Sequence, residues 1–204
     1  MHIQASETQF GGERAKQTFS IKGLDDSLAT HKTVAILPFK ATISYKRLPK
    51  NHDPAHQKEE EKTLAENMQK GMNTFLLRKA EKYTVTFQDV ERTNAIMKKN
   101  GVFEKVDELL PDEAARLLGV DAIIRCSYAY EKTNSEGGAI VKAVILGGGG
   151  KTGNGSLTMQ IYSGVSGTLL WRFFKEMNEN VTSNANEVME RMMRKVSRNF
   201  PYEK

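Results

Sequence analysis

A glycine-rich stretch is the first segment of this sequence whose residue types and spacing could do chemistry. It reads Gly147-Gly-Gly-Gly-Lys-Thr-Gly-Asn-Gly155 and superficially resembles a phosphate-binding loop. Such a loop requires a glycine five residues before its Gly-Lys-Ser/Thr, and a helix directly after it whose N–H groups face the phosphates. The residue five before Gly150 is Ile145, and residues 156–162 follow with a strand pattern. The stretch is therefore interpreted as a mobile hairpin tip and not as a nucleotide site.

The histidines offer little further chemistry. His52 and His56 bracket Asp53-Pro54, and a metal site would need both imidazoles to converge. Pro54 is expected to prevent a regular helix from placing them on one face, so this segment is interpreted as a solvated loop. No nucleophile elbow, HExxH motif or paired-cysteine pattern occurs. The sequence therefore predicts no catalytic residue, no metal ligand and no cofactor, and a protein that is not an enzyme.

The lone cysteine and a group of late basic residues are assigned structural roles. Cys126 lies in an apolar run and is expected to be buried. Four cations lie on the last predicted helix, where a basic face can bind phosphates. Because no aromatic platform interleaves with them, a solvated face is favoured and nucleic acid is not expected as a partner. The four are Arg191, Arg194, Lys195 and Arg198.

Composition places the chain among ordinary globular proteins. It has 204 residues, of which 39% are apolar and 27% charged, and its formal net charge is +5. These values exclude collagen-like, mucin-like, disulfide-scaffold and multi-span membrane proteins. No apolar stretch reaches the roughly 20 residues that a spanning helix needs. Residues 1–31 are predicted to form a polar N-terminal arm with a short strand at 17–21, and residues 32–204 a single domain.

Hydrophobic patterning divides the domain into strands and helices. A short apolar run over residues 33–39 predicts a buried strand, and the polar residues 40–58 predict a loop. Helical spacing predicts helices over residues 59–82, 90–100 and 111–118. Strands are predicted over residues 83–90, 119–130, 139–146, 156–162 and 168–174, and a final helix from about residue 183 to Pro201.

The order of these elements predicts the fold class. The early strand–helix–strand units favour parallel pairing, and the later hairpins favour antiparallel pairing. The expected fold is α/β: a single domain with a mixed β-sheet flanked by helices, and a C-terminal helix packed on the sheet.

Several segments resemble the CsgG-like group, which includes curli secretion channel subunits, related outer-membrane lipoproteins and the TolB amino-terminal domain. Residues 34–39 are similar to the group's opening strand, and residues 115–124 to its helix, glycine and following strand. Residues 131–138 resemble the polar turn after that strand, and residues 156–171 the group's hairpin. The resemblance implies a compact α/β domain at the periplasmic side of the outer membrane that binds or assembles protein partners without catalysis.

The sequence departs from the group's channel subunits in two respects. Those subunits carry an amino-terminal lipidated cysteine, whereas Cys126 is internal. They also contribute two membrane-spanning hairpins, and only residues 139–161 offer a counterpart to one. The predicted strand 139–146 is shorter than the about 9–11 residues of a barrel strand, and it contains Lys142. A pore is therefore disfavoured.

The sequence thus favours a non-enzymatic cell-envelope protein that binds or scaffolds protein partners in outer-membrane assembly or secretion. Its expected location, as a mature chain without its signal peptide, is the periplasm or the periplasmic face of the outer membrane, with the cytoplasm as the alternative. Membrane association without spanning is left open. The alternatives are a subunit of an oligomeric outer-membrane secretion pore, and a small ligand- or nucleotide-binding protein or enzyme with an unrecognised site.

The predicted partner-binding surface is the hairpin over residues 131–155, because loops held on a rigid sheet commonly carry recognition. Its predicted contact residues are Lys142, Gly147, Gly148, Gly149, Gly150, Lys151 and Asn154.

Overall fold

A mixed sheet of seven strands organises the computed structural model of the chain, which describes residues 16–132, 153–177 and 185–204. The strands are β1 Lys16–Ser20, β2 Thr33–Ile36, β3 Lys40–Tyr45, β4 Thr86–Phe87, β5 Ala122–Lys132, β6 Gly153–Ser163 and β7 Leu169–Met177. They lie in the order β1-β7-β6-β5-β2-β4, and β3 also pairs with β5. The pairs β2–β4, β2–β5 and β3–β5 are parallel, whereas β1–β7, β5–β6 and β6–β7 are antiparallel.

Helices pack on both faces of this sheet. In the described ranges they are α1 Leu24–Leu28, α2 Pro54–Leu77, α3 Val90–Lys99, α4 Pro111–Leu118 and α5 Ala185–Ser197, with 3₁₀ turns at Ala80–Lys82 and Phe103–Lys105. Successive side chains of β5 point to opposite faces. Ala122 and Ile124 join the large core shared with α2 and α5, while Ile123 joins a smaller core under α3 and α4. The predicted α/β fold with a mixed sheet and a packed C-terminal helix is confirmed.

One predicted loop contains a strand. Residues 40–45 alternate polar and apolar side chains, and Ile43 is buried. The backbone N–H and carbonyl of Ile43 are hydrogen-bonded to side chains of α2. The N–H donates to Glu61 Oε1 at 2.8 Å, and the carbonyl accepts from Gln57 Nε2 at 2.7 Å. Helix α2 therefore covers part of the outer edge of β3, which would otherwise be open to pairing with another chain.

The same predicted loop contains the beginning of α2. This helix begins at Pro54 rather than at residue 59, because the Asp53 side chain accepts a hydrogen bond from the Ala55 N–H at 2.9 Å and caps it. Proline suits the first helical position, where its missing N–H leaves no bond unmade. The predicted loop over 40–58 was therefore wrong for residues 54–58, whereas His52 precedes the helix and His56 lies within it, so that one regular helix does not place both histidines on one face, as expected.

Other predicted elements agree with the structure in part. The helices over 90–100 and 111–118 and the hairpin between the last two strands are confirmed. The predicted strand over 83–90 is reduced to Thr86–Phe87, and the predicted strand over 139–146 lies outside the described residues. Cys126 is buried as predicted, and burial raises the pKa of its thiol.

Candidate functional site

The root of the β5–β6 hairpin is the described part of the surface that the sequence assigns to partner binding. In this root Tyr130 pairs with Gly155, Glu131 with Asn154 and Lys132 with Gly153. Asn154 is therefore placed in an ordered strand. The other predicted contact residues lie outside the described residues: Lys142, Gly147, Gly148, Gly149, Gly150 and Lys151.

Two glycines of β6 lie against buried tyrosine rings. A Cβ atom on Gly155 would lie 2.5 Å from the Tyr128 hydroxyl oxygen, and one on Gly153 would overlap the ring of Tyr130. Glycine is thus needed at both positions because a tyrosine side chain packs directly against the backbone there. The prediction that residues 153–155 belong to a mobile hairpin tip was wrong, since they form the first residues of β6.

On the face covered by α2, the root is held by a buried ion pair. Lys132 Nζ lies 3.3 Å from Glu60 Oε2, and the two side chains are 9% and 8% exposed. The same Nζ donates to the Tyr45 hydroxyl at 3.1 Å and lies 4.6 Å from the centre of that ring. Lys132 therefore ties the end of β5 to both α2 and β3.

The two histidines at the start of α2 each bond a different partner. His56 Nε2 lies 3.2 Å from Glu60 Oε1, and His52 Nε2 lies 2.6 Å from Gln57 Oε1. Each histidine is thereby engaged with a side chain of the first turns of α2. Over the described ranges, no group of three His, Cys, Asp or Glu side chains could hold a metal ion.

On the opposite face, the root borders a cleft of about 210 Å³ across four neighbouring strands. Among the described residues, two carboxylates, an amide and two hydroxyls line it, and no cation does. Such a concentration of acceptors suits an ammonium or guanidinium group. The side chains form two rows, one of Ser44, Glu131 and Asn154 and the next of Ala129, Ser156 and Glu176.

The same side of the sheet continues across β6, β7 and β1, where the described helices leave its side chains exposed or half-buried. Phe174 lies between Thr158 and Gln17, and Arg172 lies between Gln160 and Phe19. Phe19 is 43% exposed. We call this surface the open face and define it by Gln17, Phe19, Thr158, Gln160, Arg172 and Phe174.

Sequence reasoning did not single out Phe19 and Phe174. The alternation along β7 is local: Trp171 and Phe173 are buried, while the alternate residues Arg172 and Phe174 are half-buried. However, the pattern alone does not tell which side of a strand lacks a covering helix. That depends on where the distant helices α3 and α4 stop along the sheet.

Burial shifts the pKa of several tyrosines and of one histidine. Among the groups whose pKa shifts, Tyr128 and Tyr202 have a pKa raised by burial, which keeps their hydroxyls protonated. His31 is buried, its Nδ1 lies 2.7 Å from the Tyr202 hydroxyl, and burial lowers the pKa of its imidazole. These groups lie in the packed interior, away from the open face.

Comparison with known proteins finds no matching family model and no match among curated proteins. Lipoprotein GNA1162 from Neisseria meningitidis is 12% identical over 81% of this chain and 94% of its own, with a TM-score of 0.47. The PelC dodecamer from Paraburkholderia phytofirmans is 13% identical over 93% of this chain and 96% of its own, with a TM-score of 0.40. The LpoB C-terminal domain from Salmonella enterica is 11% identical over 76% of this chain and 93% of its own, with a TM-score of 0.35.

With identities and TM-scores this low, the three similarities do not show what this chain binds. Across the part of the chain that the structure describes, no helix is both long enough and apolar enough to cross a bilayer.

Proposed function

We propose that this chain is a non-enzymatic protein-binding module of the bacterial cell envelope, and that its partner docks on the open face. The observation that carries the proposal is the composition of that face. It combines two phenylalanines and an arginine with uncharged glutamine and threonine side chains. Aromatic residues and arginine are enriched in protein interfaces, where a few such anchors supply most of the binding energy.

The packing beneath the open face supports this role. Trp171 and Phe173 point to the other side of β7, where both are buried and their rings stack at a centroid distance of 6.0 Å. The strand that presents Arg172 and Phe174 is therefore fixed from behind. A surface that is already ordered loses little conformational entropy when a partner binds.

The acceptor-rich cleft gives the partner an expected orientation. It lies on the same side of the sheet as the open face, because Glu176 and Phe174 are two residues apart on β7. A partner with apolar side chains and a neighbouring lysine or arginine would place the apolar groups on Phe19 and Phe174. Its cation would then lie near Glu131 and Glu176.

The envelope setting is supported by the segments that resemble the CsgG-like group. In the sheet these segments are neighbours: Val34 pairs with Ala122, and Ala122 in turn pairs with Ser163. The resemblance therefore covers one contiguous part of the sheet rather than scattered pieces. Membership of that group, the envelope location and the lack of catalysis are all parts of the proposal.

Affinity purification from the source cells after mild cross-linking tests the proposal. The variant Phe19→Ser/Phe174→Ser removes both aromatic anchors, so any protein that co-purifies in stoichiometric amounts with the wild type should be lost or strongly depleted. The matched control Leu77→Ser/Val165→Ser removes two exposed apolar side chains elsewhere and should retain it. Equal recovery with both double variants would refute docking on the open face.

A further inference from the structure

We infer that part of the connection between β3 and α2 binds the surface of a membrane that contains anionic phospholipid. This part, which we call the basic loop, is Lys46-Arg47-Leu48-Pro49-Lys50. All of its residues except Pro49 are exposed, and Leu48 is 66% exposed. Cations that meet anionic headgroups and an apolar side chain that enters the acyl boundary are two contributions that hold a protein at a membrane surface. The basic loop supplies both.

The charges of the basic loop are not used within the described part of the fold. Among the described residues, the ion pairs of this protein do not include Lys46, Arg47 or Lys50. Asp53 is the nearest carboxylate along the chain, and it caps α2 by accepting a hydrogen bond from the Ala55 N–H at 2.9 Å. The three cations are therefore available to an external anionic surface.

The combination of charge and exposed leucine separates the basic loop from an ordinary solvated surface. A single exposed leucine needs no explanation by itself. Leu77 is 54% exposed and also has two cations beside it, but Arg78 pairs with Glu190 at 3.2 Å. Lys79 lies 4.2 Å from the centre of the Phe75 ring. The cations beside this second leucine are thus engaged within the fold, so Leu77 offers a matched control position.

The basic loop is held in one geometry at both ends. The Lys46 N–H donates to the Lys132 carbonyl at 2.9 Å, which extends the pairing of β3 with β5 by one residue. The His52 N–H donates to the Pro49 carbonyl at 3.2 Å and closes a turn. The His52 ring packs edge-on against Tyr45 at a centroid distance of 5.5 Å. A loop that is already ordered loses little conformational entropy when it binds.

The leucine favours a membrane over a soluble anion, which would use the cations and leave Leu48 in water. Each lysine or arginine near an anionic membrane surface is expected to strengthen binding about fivefold. A leucine side chain that leaves water is expected to add about tenfold. Three cations and one leucine together give about 1,000-fold, which corresponds to half of the protein bound at about 1 mM accessible lipid.

Sedimentation of the purified full chain with lipid vesicles tests this inference. About half of the wild type should sediment with phosphatidylcholine vesicles that contain phosphatidylglycerol, at about 1 mM accessible lipid, and none with phosphatidylcholine alone. The variant Arg47→Gln/Lys50→Gln should bind about 25-fold more weakly, and Leu48→Ser about tenfold more weakly. High salt should release the wild type, because it screens the attraction between the cations and the headgroups.

Two control variants are matched to these changes. Arg92→Gln/Lys99→Gln removes the same net charge from exposed positions of α3, and Leu77→Ser removes an exposed leucine from α2. Both should bind like the wild type. An equal loss of binding in the controls would overturn the inference, and so would unchanged binding by Leu48→Ser. Failure of the wild type to sediment would also overturn it and would favour an acidic protein as the partner of the basic loop.

A fluorescence measurement provides an independent test if a sedimentation variant does not fold. The environment-sensitive dye NBD is attached to the variant Leu48→Cys, where Cys126 stays unlabelled because it is buried. Vesicles containing phosphatidylglycerol should shift the emission of this dye to shorter wavelength, whereas the dye on Leu77→Cys should not respond. Sedimentation without a shift at position 48 would show that another surface binds the membrane. Neither assay involves the open face, so the inference and the proposed function can fail separately.

Discussion

Two lysine–carboxylate pairs among the described residues differ mainly in burial. Lys132 and Glu60 are 9% and 8% exposed, whereas Lys40 and Asp107 are 62% and 58% exposed, although the latter pair is closer at 2.7 Å. Glu60→Gln should destabilise the fold by about 3–5 kcal/mol, because it leaves the Lys132 ammonium buried without its counter-charge. Asp107→Asn should cost less than about 1 kcal/mol.

Urea denaturation of both variants checks this prediction. The double variant Lys132→Met/Glu60→Leu should recover much of the lost free energy of unfolding, because it removes both buried charges together. Comparable losses in Glu60→Gln and Asp107→Asn would mean that the buried pair does not hold the hairpin root.

A second residue-scale prediction concerns pH. Burial lowers the pKa of His31 below its ordinary 6.5, and the nearby Asp121 carboxylate only partly opposes this. As pH falls through 6.5, the unfolded chain therefore binds a proton at this histidine before the folded chain does. The contribution of neutral His31 to the free energy of unfolding should be fully present above pH 6.5. It should decrease as the pH falls from 6.5 to the lowered pKa of the folded chain.

Comparison with His31→Gln isolates this effect, because glutamine can still bond the Tyr202 hydroxyl that His31 contacts at 2.7 Å. The free energy of unfolding of the wild type should fall more steeply between about pH 7 and 5 than that of the variant. Asp121 acts in a separate, more acidic range. Backbone N–H groups of Thr33 and Lys32 lower the pKa of its carboxyl, so its contribution is lost only as pH falls below 3.8. Parallel slopes for the two proteins would contradict the prediction.

At the scale of elements, the start of β6 depends on the absence of side chains at two glycines. Gly155→Ala should destabilise the protein by about 1–3 kcal/mol, because the new methyl group collides with Tyr128 in a packed interior. The atom it meets first is the Tyr128 hydroxyl oxygen at 2.5 Å, so Tyr128→Phe should partly rescue the variant. Gly153→Ala collides with ring carbons of Tyr130, and Tyr130→Phe should not rescue it.

Thermal unfolding of the single and double variants tests this asymmetry. Ser156→Ala, which changes the neighbouring position on the opposite face, should leave the melting temperature nearly unchanged and serves as the control. Equal rescue in both pairs would show that the tyrosine hydroxyl is not the limiting contact.

The elements that the sequence predicted well are those whose signals are local. Helix α4 has Pro111 at its first position and Gly119 at φ +67° after its end, and both lie within the segment itself. Strand β3 was missed because its six residues follow Pro38 and are rich in polar groups. Its pairing partner β5 lies 87 residues away in the register Lys40 to Ser127. A short amphipathic strand is therefore easier to identify once its pairing partner is known than from its own composition.

The candidate sites were predictable to a smaller extent for the same reason. Phe19 and Phe174 belong to the first and the last strand, and they come together only because β1 adds to the edge of the sheet beside β7. The register between strands that are distant in the chain cannot be read from local periodicity.

For the whole molecule, the two faces of the sheet are covered differently. One face carries the large core under α2 and α5, whereas the other carries the smaller core under α3 and α4 together with the acceptor-rich cleft and the open face. Because successive residues of β7 point to opposite faces, Phe173 is buried in the large core while Phe174 is half-buried on the open face. The proposed partner would therefore dock on one side of a sheet whose other side is packed.

Site-specific photo-cross-linking in the source cells tests the central claim, docking of a protein partner on the open face, most directly. The photoreactive residue p-benzoylphenylalanine is placed in turn at Phe19, Thr158 and Phe174, and for comparison at the exposed Leu77 and Val165. The account predicts one discrete adduct of the same mass from the three open-face positions and none from the two comparison positions. A ladder of adducts that is the same at all five positions, or no adduct from the open face, would contradict it.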